Sequence, residues 1–231
     1  MRVLKGLSAI LRPALVLVAV FFAIGFAGVA YQAFRTLQTL AAVEADRDQW
    51  QRPADVIQPL NLKDGSVVVD FGSGSGYFAL KLSEAVGARG TVIAVDLRRL
   101  SLFFLRIRAF RQNKHNIRVI VGEPDDPHLA PAEADSVLIA NTYHELTDRR
   151  SILGHVVRAL RPGGRLVVVD RRPATNEAAS VNLEHHVLPG VVETDLRNEG
   201  FTITLRDDYF IQRPGDDPWW LIVATKAQSL N

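Results

Sequence analysis

The hydrophobic pattern divides the chain into one continuous apolar run near the N-terminus and a longer region of short, alternating runs. Residues 13–34 contain no charged side chain, and Leu15–Val29 is almost wholly apolar. About twenty such residues in a helix can span the hydrocarbon core of a bilayer. The pattern therefore predicts a transmembrane helix over residues 13–34, preceded by a basic flank at residues 1–12.

A cleaved signal sequence is the first alternative to a retained anchor. Arg2, Lys5 and Arg12 precede the apolar run, and Ala27 and Ala30 near its end fit a cleavage site. The run is longer than the apolar core of a usual signal peptide, which favours the anchor. A buried helix of a globular core is the second alternative, because a helix that is apolar all round fits either lipid or a large interior.

The rest of the chain is predicted to be a linker followed by one domain. Residues 35–60 are rich in charge and are punctuated by Trp50, Pro53 and Pro59. We interpret them as a helical continuation and a segment that caps the domain's entrance. Residues 61–231 are enough for a single α/β core.

The domain opens with a strand, a glycine-rich turn and a helix. Ser66–Phe71 is a short apolar run typical of a buried parallel strand, and Gly72–Gly76 has glycine at every second position. Tyr77–Leu82 then shows helical periodicity. A second apolar run, Thr91–Val95, ends in Asp96, about twenty residues beyond the glycines, where a carboxylate can accept both hydroxyls of a ribose.

Further short apolar runs continue this alternation of strands and helices, which predicts a mostly parallel sheet. The later strands are predicted at Ile117–Val121, Ser136–Ala140, Arg165–Asp170, Phe201–Leu205 and Trp219–Ala224, with helices near Leu97–Asn113, Arg149–Leu160 and Leu188–Glu199. The basic, apolar helix at Leu97–Asn113 has two interpretations: it packs on the sheet with a solvated basic side, or its face lies on anionic lipid.

The composition argues against several classes of function. The chain has 27 basic and 25 acidic residues, so its net charge of +2 gives no case for nucleic-acid binding by bulk electrostatics. There is no cysteine, which excludes disulfides, thiolate metal sites and cysteine nucleophiles.

The motifs resemble those of the class I S-adenosylmethionine-dependent methyltransferases. The matching residues are Asp70-x-Gly72-x-Gly74-x-Gly76, Asp96 at the end of the next strand, and the turn Leu160-x-Pro162-Gly163-Gly164. The resemblance covers roughly residues 48–226. It implies an α/β fold: a Rossmann-like three-layer sandwich whose mostly parallel seven-stranded sheet closes with a C-terminal antiparallel hairpin. It also implies S-adenosyl-L-methionine as the cofactor.

The resemblance assigns roles to residues at the carboxyl edge of the sheet. It implies that Asp70 contacts the methionine end of the cofactor and that Glu123, or else Asp125 or Asp126, contacts the adenine. The full predicted cofactor set is Asp70, Gly72, Ser73, Gly74, Gly76, Tyr77, Asp96, Leu97, Glu123 and Asn141.

A base is needed if the methyl acceptor loses a proton during transfer. Among the titratable residues after the fourth and fifth strands, His144 and His186 are the candidate catalytic bases, ahead of Glu145 and His185. The alternative interpretation is that each histidine has a local structural role and no catalytic one. Methyl transfer requires no metal in principle, and no metal ligands are predicted.

The expected function is methyl transfer to a small, hydrophobic or membrane-associated acceptor, because a tether favours substrates that share the membrane. No Asn-Pro-Pro-Tyr run appears, which argues against nucleic-acid substrates. The alternatives are a nicotinamide-dependent oxidoreductase and a non-catalytic cofactor-binding membrane protein.

The predicted location is the bacterial inner membrane. The basic flank favours a domain outside the cytoplasm, whereas a cofactor made in the cytosol favours a cytoplasmic domain. We expect the cytoplasmic side, with a periplasmic or secreted form as the alternative. The sequence does not indicate an oligomeric state.

Overall fold

The computed structural model describes residues 2–173 and 185–228, with side chains at positions 15 and 17 and from residue 19 onward. It divides into two compact units, Met1–Arg47 and Asp48–Asn231. The side chains of the predicted basic flank, residues 1–12, lie outside the described residues.

The first unit consists of most of one long helix, α1 (Arg2–Trp50), which continues through the first part of the predicted linker. Within Ala19–Trp50, an 18-residue stretch has a mean hydropathy of 1.4, and none of it is buried. By length and composition this helix can cross a membrane, as a signal sequence also can.

The second unit contains seven strands and five helices among the described residues. The strands are β1 (Val67–Phe71), β2 (Thr91–Asp96), β3 (Ile117–Val121), β4 (Ala134–Ala140), β5 (Leu160–Arg171), β6 (Phe201–Ile211) and β7 (Trp219–Lys226). The helices are α2 (Pro53–Ile57), α3 (Tyr77–Ala85), α4 (Arg99–Arg111), α5 (Arg149–Ala159) and α6 (Pro189–Asn198), with short 3-10 helices at Gln58–Leu60 and Tyr143–Glu145.

The seven strands form one sheet in the order β3-β2-β1-β4-β5-β7-β6. The first five strands in this order run parallel, and β7 lies antiparallel between β5 and β6. The order reverses between β1 and β4, which places the switch point of the sheet beside the glycine turn. The predicted fold class, including the antiparallel C-terminal pair, is confirmed.

Hydrophobic cores cover both faces of the sheet, which explains why the parallel strands are continuous apolar runs. Successive side chains of a strand point to opposite faces. Val68 therefore packs in the core formed with α3 and α4, and Val69 in the core formed with α5 and α6. Trp219 and Trp220 are divided between the two cores in the same way.

One predicted turn is instead an irregularity within a strand. Leu160 pairs with Ala134 and Arg165 pairs with Ser136, so the residues between them bulge out of β5. Gly163 takes a positive φ of 74°, a conformation that glycine adopts without a steric penalty. The bulge allows β5 to pair with β4 from its first residue.

We expect Trp220→Phe to destabilise the fold more than Trp219→Phe. Trp220 is fully buried, and its ring N–H donates to the Val187 carbonyl at 2.8 Å, so the substitution removes volume and leaves a buried acceptor without its donor. The expected loss is about 2–3 kcal/mol of unfolding free energy. The ring nitrogen of Trp219 makes no hydrogen bond with a described residue, and we expect a loss of about 1 kcal/mol. Chemical unfolding of the full chain in detergent measures both, and equal losses would contradict the role of the hydrogen bond.

Candidate functional site

A cleft lies at the carboxyl edge of the sheet, at the switch point between β1 and β4. It encloses about 250 Å³. The segments that follow four neighbouring parallel strands form its wall. The lining residues are Phe71, Gly72, Val95, Asp96, Leu97, Arg98, Gly122, Glu123, Pro124, Pro127, Thr142, Glu145, Leu146, Thr147 and Ile152. Four of the predicted cofactor residues are therefore brought together in one wall: Gly72, Asp96, Leu97 and Glu123.

At two positions of the glycine turn after β1, the backbone conformation and the close contacts leave no room for a side chain. Gly72 and Gly76 have positive φ angles of 74° and 96°. A Cβ at Gly72 would overlap the side chain of Thr142, and one at Gly76 would overlap Leu105. Gly74 also has a positive φ, of 54°, but a Cβ there would meet no atom within 4 Å. Gly74 therefore leaves open space beside the backbone, as close approach of a ligand requires.

Asp96 connects the glycine turn to the start of α4. One of its carboxylate oxygens accepts the Gly74 N–H at 2.7 Å, and the other accepts the Arg98 N–H at 2.7 Å. The Asp96 side chain is only 5% exposed and lies in the cleft wall. A carboxylate oxygen can accept more than one hydrogen bond, so Asp96 keeps acceptor capacity for ribose hydroxyls.

The buried polar atoms without a hydrogen-bond partner among the described residues include two at this edge. They are Ser73 Oγ, in the glycine turn, and Asn141 Oδ1, directly after β4. Asn141 also holds a positive φ of 54°, an uncommon conformation for a residue other than glycine. Buried polar groups are almost always satisfied, so these atoms fit the contacts of a polar ligand that lies over the turn. Asp70, which is 2% exposed, ends β1 beneath the same turn.

Among the acidic residues after β3, Glu123 is the one that lines the cleft. Asp126 instead accepts the backbone N–H of His128 at 2.7 Å, and this hydrogen bond is the main reason that the pKa of Asp126 lies below its usual value. Asp125 contributes its carbonyl to the Ser151 hydroxyl. The geometry therefore favours Glu123 over the two aspartates as the acidic residue facing a ligand.

Two tyrosines near the site are held by packing. Tyr77 does not line the cleft: its hydroxyl donates to Asp48 at 2.8 Å, and Lys81 Nζ lies 4.8 Å from its ring centre. Tyr143 is fully buried and donates to Asp195 at 2.9 Å; burial, with this hydrogen bond, raises its pKa far above the usual value. A tyrosine at this edge could either face the sulfonium of S-adenosylmethionine or pack within the domain. The contacts of Tyr77 and Tyr143 favour packing.

His144 and Asp170 form a buried pair at the ends of β4 and β5. The side chains are 1% and 0% exposed, and His144 Nδ1 lies 2.9 Å from the Asp170 carboxylate. Asp170 also accepts the backbone N–H groups of His144 and Arg171. An ionised carboxylate can only accept, so Nδ1 is the donor to Asp170, and in the neutral ring Nε2 has the lone pair. His144 does not itself line the cleft, but its Nε2 lies 3.9 Å from the carboxylate of Glu145, which does.

His186 is placed differently. Its Nε2 lies 2.8 Å from Asp217, and the histidine side chain is 14% exposed. The neighbouring His185 packs edge-on against the His144 ring, with 6.0 Å between ring centres. The segment that carries His185 and His186 therefore lies near the His144–Asp170 pair.

Sequence reasoning missed Asp170, Thr142 and Arg98. Asp170 ends a strand at the same sheet edge as Asp70 and Asp96, so a search for acidic residues at strand ends finds it. Arg98 forms an ion pair with Glu145 at 3.1 Å, both in the cleft wall. No sequence pattern indicates this cross-loop contact.

Comparison with known proteins gives a family and a fold. A model described as the ubiE/COQ5 methyltransferase family matches residues 26–192. A demethylmenaquinone methyltransferase of Staphylococcus saprophyticus is 29% identical over 120 residues, which are 52% of this chain and 51% of that protein. The match thus spans about half the length of this relative.

Solved structures share the fold at low identity. A SAM dependent methyltransferase from Aquifex aeolicus has a TM-score of 0.65 and 22% identity, covering 75% of this chain and 89% of that chain. A cyclase, SpnF, has a TM-score of 0.66 and 15% identity, covering 78% of this chain and 81% of that chain. The fold by itself therefore does not select one reaction.

We expect Gly74→Ala to weaken S-adenosylhomocysteine binding at least about 10-fold, because a methyl group enters the open space beside the turn. Gly65→Ala is the matched control: Gly65 also has a positive φ, of 93°, with no atom within 4 Å of a Cβ, but it precedes β1 and so lies at the opposite end of that strand from the glycine turn. Each substitution costs about 1–2 kcal/mol of stability for its backbone conformation. Isothermal titration measures the affinity, and equal effects of the two substitutions would remove Gly74 from the site.

Proposed function

The chain belongs to the ubiE/COQ5 methyltransferase family, and on that basis we propose that it is a membrane-anchored methyltransferase. It transfers a methyl group from S-adenosylmethionine to a small, hydrophobic, quinone-like acceptor. The observation that carries the proposal is the junction at Asp96, where one buried carboxylate joins the glycine turn to the cleft wall.

The residues of the turn fit the polar groups of the cofactor. Asp96 would accept the ribose hydroxyls, and Leu97 and Glu123, which line the same cleft, would hold the adenine. The Ser73 hydroxyl and the Asn141 side-chain oxygen, both buried without a hydrogen-bond partner in the described part of the chain, would meet polar atoms of the amino-acid end. The carboxylate of Asp70 suits the ammonium group of that end, whereas it would repel a pyrophosphate, which argues against a nicotinamide cofactor.

The chain's main contribution to the reaction is positioning. S-adenosylmethionine supplies a methyl group on a positively charged sulfur, and the electron pair of the broken carbon–sulfur bond stays on that sulfur. The cleft wall would hold donor and acceptor together and exclude water, and such positioning accounts for a large part of the rate enhancement in displacements of this kind. Phe71, Leu97, Leu146 and Ile152 provide apolar surface for this purpose.

We assign His144 as the group that takes the acceptor's proton. Asp170 holds the ring in the tautomer whose Nε2 has a lone pair, and it stabilises the imidazolium that forms. His144 is favoured over His186 because its segment follows β4, at the switch point of the sheet, whereas His186 is paired with the half-exposed Asp217. Asp170 is a positioning residue in this scheme.

Two features support a lipid-like acceptor at a membrane. The relative from Staphylococcus saprophyticus is a demethylmenaquinone methyltransferase. In this chain, the exposed apolar surface of α1 is long enough to anchor the protein in the same membrane as such a molecule. We place the domain on the cytoplasmic side, where the cofactor is made.

The second candidate is cofactor binding without methyl transfer, or a different reaction on the same fold. The shared fold of the cyclase SpnF gives this candidate weight. Both candidates predict cofactor binding, so only a measurement of methyl transfer distinguishes the second candidate from the first.

The test uses the full chain in vesicles that contain a demethylated, reduced quinone, with donor labelled in the methyl group. We expect label in the extracted quinone fraction. His144→Gln should lower turnover by about 100-fold or more, because general bases contribute that much, while the affinity for S-adenosylhomocysteine stays unchanged. His155→Gln, on the outer helix α5, is the control and should retain activity.

Three other results would revise the proposal. Cofactor binding without label in any lipid fraction would favour the second candidate. Full activity of His144→Gln together with loss in His186→Gln would transfer the proton-accepting role to His186. Failure of the wild-type chain to bind S-adenosylhomocysteine would reject the cofactor itself.

A further inference from the structure

Helix α4 has apolar side chains on two opposite sides. Its inner side packs on the sheet through Leu102, Leu105 and Ala109. Its outer side presents Leu100, Phe103 and Phe110, which are 69%, 54% and 77% exposed. A surface helix normally carries polar residues on the side away from the core, so a second apolar stripe requires a separate explanation.

The outer stripe of α4 is bordered by arginines that are available to bind anions. Arg99, Arg106 and Arg111 are exposed, and none of them forms an ion pair or side-chain hydrogen bond with a described residue. Elsewhere on the domain, exposed arginines such as Arg89 and Arg213 have carboxylate partners. Residues 97–122 contain seven basic residues and no Asp or Glu, so this region offers no internal counter-charge to the stripe.

We propose that the outer side of α4 is a docking surface for an anionic lipid bilayer. In this arrangement Leu100, Phe103 and Phe110 enter the boundary between headgroups and acyl chains, and the three bordering arginines contact lipid phosphates. Exposed aromatic and aliphatic residues flanked by basic residues are the composition of helices that lie in a membrane interface.

Charge argues for lipid over a second copy of the chain as the occupant. A symmetric dimer through this surface would bring the stripe of one copy against the same stripe of the other. Arg99, Arg106 and Arg111 would then face three identical arginines, with no acidic residue in the stretch to neutralise them. An anionic bilayer covers the apolar side chains and neutralises the arginines together.

The surface also adjoins the cleft. Leu97 and Arg98, directly before α4, line the cleft wall, and Leu97 is 54% exposed. Docking would therefore bring one edge of the cleft to the membrane surface, where a lipid-dissolved acceptor could enter without crossing water. This consequence rests on the proposed function, whereas the docking itself does not depend on which reaction the domain catalyses.

Because the chain contains no cysteine, single labels can be placed in the full-length protein. A bimane probe at Leu100→Cys or Phe110→Cys reports on the outer side of α4. A probe at Arg150→Cys, whose native side chain is 93% exposed on α5 at the other face of the sheet, is the matched control. The probes on α4 and on α5 are in proteins with the same anchor, so both are tethered to the vesicle in the same way. The readout is quenching by nitroxide-bearing lipid in phosphatidylcholine vesicles with and without phosphatidylglycerol.

We expect quenching at position 100 to exceed that at position 150 by roughly three-fold or more in anionic vesicles, and to decrease when phosphatidylglycerol is omitted or salt is raised. A triple variant with Arg99→Gln, Arg106→Gln and Arg111→Gln should reduce quenching at position 100 to the value at position 150. A second triple variant, with Gln in place of Arg89, Arg158 and Arg213, removes the same charge elsewhere and should leave quenching intact.

Equal quenching at positions 100 and 150, or quenching insensitive to the α4 arginines, would overturn the proposal. A probe at position 100 that becomes shielded without lipid quenching, in proportion to protein concentration, would assign the surface to a second copy instead. Circular dichroism and S-adenosylhomocysteine affinity verify that each variant is folded. Since quenching requires no turnover, a failed methyl-transfer assay leaves this test valid.

Discussion

The hydrogen bonds of the Asp96 carboxylate are the interaction on which the site depends. The glycine turn belongs to the segment after β1, and α4 belongs to the segment after β2. Their relative position is fixed where the two oxygens of Asp96 accept one backbone N–H from each. Charge-assisted hydrogen bonds to a nearly buried carboxylate are stronger than neutral ones and strongly directional. The same group that faces the cleft therefore also holds the wall of the cleft in place.

The sequence predicts the sheet and the glycine turn well, because each depends on local chemistry. The strands β1, β2 and β4 are buried on both faces, so each consists mainly of consecutive apolar residues, and the ends of these apolar runs indicate the strand boundaries. The positive φ angles at Gly72 and Gly76 favour glycine, so the glycines themselves indicate the turn in the sequence. In contrast, the bulge at the start of β5 depends on pairing with β4, which no local pattern encodes.

The contacts between segments are the part of the site that the sequence does not predict. The pairing of Tyr77 with Asp48 and that of Tyr143 with Asp195 join residues 29 and 52 positions apart. Each is possible only after the sheet has brought its segments together. The same holds for α4: its apolar residues fit a core-facing stripe and an exposed stripe equally well in the sequence. Only the packed structure shows that Leu102 faces the core and Phe103 faces outward.

The buried pair of His144 and Asp170 follows from the same geometry as Asp96. Parallel strands end at one edge of the sheet, so an acidic residue that ends a strand meets the loop after its neighbour. Asp170, fully buried, would be costly there without donors, and it receives hydrogen bonds from two backbone N–H groups and from His144 Nδ1. These bonds satisfy the carboxylate and at the same time leave the lone pair of the imidazole on Nε2. A group that stabilises the local fold thus also selects the tautomer of the candidate base, and a substitution at Asp170 would alter both.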